Sequence, residues 1–320
     1  MNVRQTIPPE LRYTFQQFEK DFPTNDSCLE QIKEQRFPQG ITECHKCGKP
    51  RKHYRVHGRT AYACETCGNH IYPLAGTIFE KSSTALRIWF HAMYLMGSTR
   101  CGISAKQIQR ETGVTYKTAW RMFKQIRKLM AEDLKLGGAE GGGVEVDEAY
   151  FGGRRKGQSG RMLRGNKGGH TTVLGVVERK GRIAARITPD LKLSSANAVV
   201  KEFVMPGTMV YTDDSVIYNS VPYLEGKGYR HQRINHSQKV YVMGEVHTNT
   251  IEGFWSLVKR GIGGVYHSVS AKYLQSYLDE YAFRYNRRRS GNLIFPVLLD
   301  RVGEMASRKP VSEARKTETL

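Results

Sequence analysis

Residues 141–151 read GGGVEVDEAYF, and the parsing of the whole chain turns on them. Gly141 to Gly143 close a longer run, Leu136-Gly-Gly-Ala-Glu-Gly-Gly-Gly143, whose composition reads as a linker and the clearest domain boundary. Val144 to Phe151 then reads as a β-strand. It carries Asp147 inside it, a costly place for a charge unless the charge serves something. Downstream, His170 to Glu178 (HTTVLGVVE) and Arg182 to Thr188 form a hairpin across Lys180-Gly181. Ser195 to Val204 reads as a helix, Thr208 to Asp213 (TMVYTD) as a fourth strand and Tyr229 to Ile234 as a fifth, with helices at about 249–261 and 270–289.

Three sequential antiparallel strands, a helix, a further strand and then more helices is the element order of an RNase H-like α/β domain. Three carboxylates fall at informative places in it. Asp147 lies within the first strand, Asp213 ends the fourth, where α/β sheets often carry functional groups, and Glu252 sits in the first turn of the helix NTIEGFWSLVKRGI. On that helix Ile251, Phe254, Trp255, Val258 and Ile262 form the buried stripe, and Lys259 shares the face of Glu252 two turns along. Carboxylates converging on one point repel, and a pair of divalent cations resolves the repulsion. Hard oxygen ligands with incomplete coordination suit magnesium, which activates a water or a DNA 3′-OH and steadies the leaving oxygen at phosphorus. Lys259 then holds a nearby phosphate. Each group also has a plain structural reading: Asn249 and Glu252 as a reciprocal helix cap, Asp213 as a turn starter, Glu148 or Asp214 as the true ligand instead of its neighbour.

Upstream of the glycine run stand two matched knuckles, Cys44-His-Lys-Cys47-Gly and Cys64-Glu-Thr-Cys67-Gly. Four thiolates suit zinc, and the glycine after each pair, Gly48 and Gly68, tolerates the positive φ of the knuckle turn. His53 to Tyr62 reads as a hairpin turning at Gly58, which makes the whole a zinc ribbon with a closed, structural Zn2+ site. His45, His53, His57 and His70 are alternative ligands that a four-cysteine set does not need. Cys28 and Cys101 lack such partners and are expected to be ordinary buried thiols. After the ribbon, Ser83 to Met96 reads as an apolar helix. Ile103 to Thr112, the turn Gly113-Val-Thr115 and Tyr116 to Met130 then have the layout of a helix-turn-helix, with Thr115 capping the second helix. Tyr116, Trp120, Phe123, Ile126 and Met130 should face the core, while Lys117, Arg121, Lys124 and Lys128 form one basic stripe fit to lie along phosphates.

Composition agrees with a polyanionic partner. The 320 residues hold 50 Lys+Arg against 30 Asp+Glu, a formal net charge of +20. No apolar run long enough for a membrane span exists, and MNVRQTIPPELRYTF lacks the apolar core of a signal peptide, so no membrane role and a soluble, cytoplasmic, nucleoid-associated protein are expected. Between Glu148 and Glu178 no acidic residue occurs; that stretch carries Arg154, Arg155 and Lys156 among many glycines and reads as a mobile basic loop that orders on DNA. The last long helix places Tyr273, Leu274, Tyr277, Leu278, Tyr281 and Tyr285 on an apolar side. It ends in Arg287-Arg288-Arg289, a phosphate-contacting patch or a solvated helix end. The tail after about residue 306 is expected to be disordered.

GGGVEVDEAYFGGRRKG, VYTDD followed by Tyr218, and HTNTIEGFWSLVKRGIGGVYHSVSAKYLQSYLDEYAFRYNRR together resemble transposases of the IS1595 group, ISXO2-like branch. The resemblance covers roughly residues 20 to 295 and includes the front end of zinc ribbon and helix-turn-helix. It implies an RNase H-like domain of DDE type, Mg2+-dependent strand transfer with two ions, and terminal inverted repeats as the double-stranded DNA substrate. Carried onto this chain, the first Asp is Asp147 and the second is Asp213. The third position is Glu252 or Asn249, many members having Asn there, with Lys259 as the basic partner at the spacing usual in such enzymes. Joining two ends implies a homodimer or a larger assembly on DNA. The domain organisation expected is an N-terminal region with the ribbon (1–75), a helix-turn-helix domain (76–136), a linker (137–143), the catalytic domain (144–295) and a C-terminal tail (296–320). A DNA-binding regulator without catalysis and an RNase H-like nuclease that only hydrolyses are the competing readings. Retention of Asp147, Asp213, Glu252 and Lys259 argues against the first, and only the resemblance argues against the second.

Overall fold

The computed structural model describes residues 8, 12–99, 101–138, 142–152, 170–179, 181–224, 226, 228–234, 249–290 and 293–307. The elements, in chain order, are α1 (Phe15–Asp21), α2 (Asn25–Arg36), β1 (Glu43–Cys44), β2 (Lys49–Pro50), β3 (His53–Arg55), β4 (Tyr62–Cys64), β5 (His70–Ile71), α3 (Leu86–Ser98), α4 (Ala105–Thr112) and α5 (Tyr116–Lys128). They continue as β6 (Val144–Phe151), β7 (Thr171–Glu178), β8 (Ile183–Thr188), α6 (Leu193–Phe203), β9 (Met209–Asp213), β10 (Arg230–Ile234), α7 (Asn249–Gly261), α8 (Ala271–Asn286) and α9 (Ile294–Ser307). Two compact units result, one of residues 1–129 with 290–320 and one of residues 130–289.

In the first unit, Thr14 and Thr24 start α1 and α2 with reciprocal capping bonds to Gln17 and Ser27. α1 buries Phe18, with Phe22 buried at its C-cap; their rings meet Phe295 of α9 at 5.6 and 5.8 Å, and Phe22 meets Phe90 of α3 at 4.9 Å. Sequence reading assigned no element to α1 or α2 and placed a tail from residue 296. Instead, α9 runs through that region and buries Phe295, Leu298, Leu299 and Val302. The ribbon is a β1–β2 hairpin beside a β3–β4–β5 sheet, with Gly58 at a φ of 74° in the β3–β4 turn.

The second unit is built on a mixed five-stranded sheet of order β10-β9-β6-β7-β8. β6, β7 and β8 pair antiparallel, whereas β9 and β10 add in parallel. This is the element order expected of an RNase H-like domain. Strand alternation divides the core into two layers. Val144, Val146, Leu174 and Val176 face Val199, Val200 and Phe203 of α6. On the other face Ala149, Phe151, Val173 and Val177 pack with Ile251, Phe254, Trp255 and Val258 of α7 and with Leu274 and Leu278 of α8. The start of the glycine run is bound into this unit: Gly137 N donates to Glu178 at 3.0 Å and Gly138 N to the Thr208 hydroxyl at 2.8 Å.

Candidate active site

The site grows from β6 outward. The parallel β6–β9 register pairs Val144 with Val210 and Glu145 with Tyr211. Asp147 lies two residues beyond Glu145 on β6 and Asp213 two residues beyond Tyr211 on β9, so the two acids stand on adjacent strands, past the paired stretch and at the same end of it. Burial first, then the charges of Glu148 and Asp213, push the Asp147 carboxyl up to about 7. The backbone N–H of Glu148 and the indole N–H of Trp255 act in the other direction, the indole donating to Asp147 Oδ2 at 3.0 Å. Asp213 Oδ1 accepts the backbone N–H of Ser215 at 3.0 Å, which fixes the carboxylate at the strand end. Glu148 points to the opposite face of β6, as alternation requires, and accepts the Tyr218 hydroxyl at 2.8 Å. The Tyr218 phenol is held well above its ordinary pKa by burial and by Glu148, Asp147 and Asp213, so these four groups share one electrostatic neighbourhood.

Helix α7 lies across this face, and the way it is anchored was not legible in the sequence. Glu145, fully buried on β6, accepts the N–H groups of Thr250 and Ile251 at 3.0 and 3.1 Å and the Thr250 hydroxyl at 2.9 Å. Arg179 stands 3.4 Å from its other side and stacks on the Tyr211 ring. A carboxylate at a helix N-terminus satisfies orphan N–H groups and complements the helix dipole. The first turn of α7, with Asn249 and Glu252, is thereby pinned to the strand carrying Asp147. Glu252 is exposed, one turn before Trp255, and Lys259 is exposed one turn after it. Asn249 begins α7, and its side chain lies outside the described residues. Asp214 is exposed beside Asp213. Among the described residues the four cysteines are the one group of three or more potential ligands gathered closely enough to hold an ion; Asp147, Asp213 and Glu252 do not form such a group.

The zinc ribbon brings a full set of four thiol ligands together. The Sγ atoms of Cys44, Cys47, Cys64 and Cys67 all lie within 4.8 Å of one another. Tetrahedral zinc with Zn–S bonds of about 2.3 Å requires sulfur separations of about 3.8 Å, so the four thiols fit Zn2+. Gly48 and Gly68 adopt φ of 62° and 64°, and their N–H groups bond back to Cys44 O and Cys64 O, closing both knuckles as the spacing predicted. Cys28 is buried as expected, but Cys101 is exposed, because it falls in the loop between α3 and α4 and not in either helix.

The short helix, glycine turn and longer helix expected here are present as α4, Gly113 and α5: Gly113 has φ 70°, and Thr115 caps α5 through Thr118 N. Lys117, Arg121, Lys124 and Lys128 are all exposed on α5. The buried stripe differs from the expected one. Tyr116 is 44% exposed, its ring under the Lys106 ammonium at 4.7 Å, and Trp120 is half-buried. Ala119, Met122 and Arg127 are buried with Phe123 and Ile126, the Arg127 guanidinium stacking on Phe123 at 3.7 Å. Arg287 is engaged with Glu132 at 2.7 Å and Arg288 with the carbonyls of Gly181 and Tyr285, at 3.0 and 2.8 Å. Arg154, Arg155 and Lys156 lie outside the described residues. Among the described residues no helix is long and apolar enough to cross a membrane.

Comparison with known proteins finds matches to both parts of the chain. Residues 139–286 match the ISXO2-like transposase domain, and residues 23–70 match the transposase zinc-ribbon domain of IS1595 elements. A protein of Halobacterium salinarum described as an uncharacterized protein in transposable element ISH50 is 30% identical over 244 residues, 72% of this chain and 79% of the relative. An uncharacterized transposase-like protein of Haemophilus influenzae is 26% identical over 107 residues, 33% of this chain and 83% of its own. With a mixed-sheet domain behind a four-cysteine ribbon, and matches of this extent to both, the chain belongs to the IS1595 family of ISXO2-like transposases.

Proposed function

We propose that the chain binds the terminal inverted repeats of its element and catalyses metal-dependent cleavage and strand transfer of double-stranded DNA. The observation that supports this reading is the placement of Asp147 and Asp213 on the adjacent strands β6 and β9, where burial, Glu148 and Asp213 together push the Asp147 carboxyl up to about 7. Structural carboxylates are normally placed to avoid such repulsion, and sites that perturb a buried acid with a second acid are candidates for chemistry. Asp147, Asp213 and Glu252 would hold Mg2+, with Asn249 the alternative third ligand. When bound, such ions supply positive charge to an in-line displacement at phosphorus. In cleavage a water oxygen forms a bond to phosphorus and the P–O3′ bond breaks, leaving a 3′-hydroxyl. In joining, that hydroxyl attacks a target phosphorus and the target P–O3′ bond breaks, so phosphodiesters are exchanged without an external energy source. Lys259, exposed on α7, holds a phosphate beside the reacting group.

The exposed stripe Lys117, Arg121, Lys124 and Lys128 on α5 contacts the duplex, together with Arg154, Arg155 and Lys156. Arg287 and Arg288 are tied to neighbouring groups and stand behind these as DNA contacts. Two ends must be brought together, so the working form is a homodimer or larger on DNA, acting on the nucleoid in the cytoplasm.

The test incubates the zinc-loaded full chain with a duplex carrying a candidate element end and a target plasmid, with Mg2+ present or omitted. Asp147→Ala and Asp213→Ala serve as controls. Magnesium-dependent joining lost in both variants is expected. Cleavage without joining would favour a nuclease, and binding without chemistry, unchanged in the variants, would leave a DNA-binding regulator.

A further inference from the structure

Trp255 reads in the sequence as one more apolar residue on the buried stripe of α7, and it is 4% exposed. Packing does not account for its polar atom. A buried indole N–H requires an acceptor, and here the acceptor is Asp147 Oδ2 at 3.0 Å. A second observation, independent of that bond, concerns the seat of the ring. Asp147 pairs across the ladder with Gly175 of β7, and a Cβ built on Gly175 would lie 2.5 Å from Trp255 Cζ2 and 3.1 Å from Ile251 Cδ1. Only a residue without a side chain at this position of β7 lets the indole lie flat on the sheet with its N–H beside the Asp147 carboxylate.

We infer that Trp255 is a positioning residue for Asp147: its N–H binds Oδ2 and fixes the carboxylate rotamer in which Asp147 would meet a divalent cation shared with Asp213. Gly175 is the part of β7 that makes this arrangement possible. The inference rests on the proposed role of Asp147 as a metal ligand. It assigns α7 a double task, presenting Glu252 or Asn249 from its first turn and orienting the first aspartate from its second. Groups that orient a metal ligand through a hydrogen bond are typically worth about 10- to 100-fold in metal affinity or activity.

The experiment measures Mn2+ binding to the zinc-loaded full chain by electron paramagnetic resonance of the free ion, beside Mg2+-dependent joining, DNA affinity and thermal unfolding. Trp255→Phe keeps most of the ring and removes the N–H. Expected are a loss of Mn2+ affinity of about tenfold or more, a matching rise in the Mg2+ needed for half-maximal joining, and unchanged DNA affinity and zinc content. Gly175→Ala, which displaces the ring without removing it, should shift Mn2+ binding in the same direction. Wild-type Mn2+ affinity and joining in Trp255→Phe would overturn the inference. So would a variant that melts lower yet binds Mn2+ normally, because Trp255 would then be a packing residue only. Asp147→Ala separates the two layers: if it binds Mn2+ like the wild type, Asp147 is no ligand and the proposed function fails with it. If Asp147→Ala loses Mn2+ and Trp255→Phe does not, only the positioning role falls.

Discussion

Asp147→Asn should make the metal-free protein more stable at pH 8, although it abolishes joining. The argument follows from where the carboxyl sits. Its ordinary value is 3.8, and in the folded protein it is pushed up to about 7 by burial and by Glu148 and Asp213. Between these two values the folded state holds a proton that the unfolded chain has released, so stability falls as pH rises through the window from about 4 to 7. Each pKa unit corresponds to about 1.4 kcal/mol, so above pH 7 the ionised Asp147 costs the fold at most about 4 kcal/mol. Asparagine matches the protonated acid in shape, has an oxygen to accept the Trp255 N–H, and carries no charge at any pH. The difference between variant and wild type should therefore approach 4 kcal/mol at pH 8 and shrink to about 1 kcal/mol near pH 4.5. For a unit of this size a kilocalorie shifts the midpoint by about 2–4 °C, so the gap at pH 8 is on the order of 10 °C. Differential scanning calorimetry without Mg2+, and without a chelator that would strip the ribbon of zinc, resolves the transition of the catalytic unit. A variant no more stable than wild type at pH 8, or a gap independent of pH, would refute the crowding of Asp147 by its neighbours.

Glu145→Gln should loosen the start of α7 while leaving Asp147 in place. The amide offers one acceptor where the carboxylate has two and withdraws the charge facing the poorly exposed Arg179, a loss of about 3–5 kcal/mol for a broken buried pair. Hydrogen exchange at the amides of Thr250 and Ile251 should quicken, and unchanged protection there would count against the clamp. Cys64→Ser should abolish stoichiometric zinc and unfold the ribbon, whose strands of two or three residues cannot form a core alone, while the melting of the catalytic unit stays put. Full zinc content in this variant would exclude Cys64 as a ligand. Lys117→Ala and Lys124→Ala should each weaken DNA binding about equally for any sequence, and each should reduce the slope of log affinity against log salt by about 1. An unchanged slope would place the stripe away from phosphate.

How much of this was legible in the sequence depended on the range of the interaction. Local chemistry was readable: the cysteine spacing with its positive-φ glycines, the Thr115 cap, and the Gly181 turn of the β7–β8 hairpin each lie within a few residues of the pattern that signals them. The capping boxes Thr14-x-x-Gln17 and Thr24-x-x-Ser27 were equally local and would have revealed α1 and α2. The stripe on α5 was misplaced by part of a turn, because hydrophobicity favoured Tyr116 and Trp120 over Ala119 and the stem of Arg127. Packing selected the smaller residue and an aromatic-stacked guanidinium instead. What could not be read was long-range. Glu145 meets Thr250 across 105 residues, and Asp147 meets Trp255 across 108. No pattern inside either segment distinguishes a clamp from a solvated glutamate, or a positioning tryptophan from a core one.

Strand β6 makes the same point in four positions. Glu145, Asp147 and Glu148 are three acids of similar chemistry, and tertiary partners give each a different fate. Alternation sends Glu145 and Asp147 to the α7 face and Glu148 to the α6 face, where the Tyr218 hydroxyl meets it. On the α7 face the distance along the strand decides the rest. Glu145 lies opposite the start of the helix, so N–H groups and Arg179 satisfy its charge and it becomes structural. Asp147, one pleat further on, receives no bond from those helix N–H groups and stands on the strand beside the one that ends in Asp213. It has the Glu148 and Trp255 N–H groups against burial and the repulsion of two acids, and its carboxyl is pushed up to about 7. A carboxylate in that position destabilises the fold at neutral pH and gains most from a divalent cation. The strand therefore separates the acid that holds the helix from the acid proposed to take the metal by a single two-residue step.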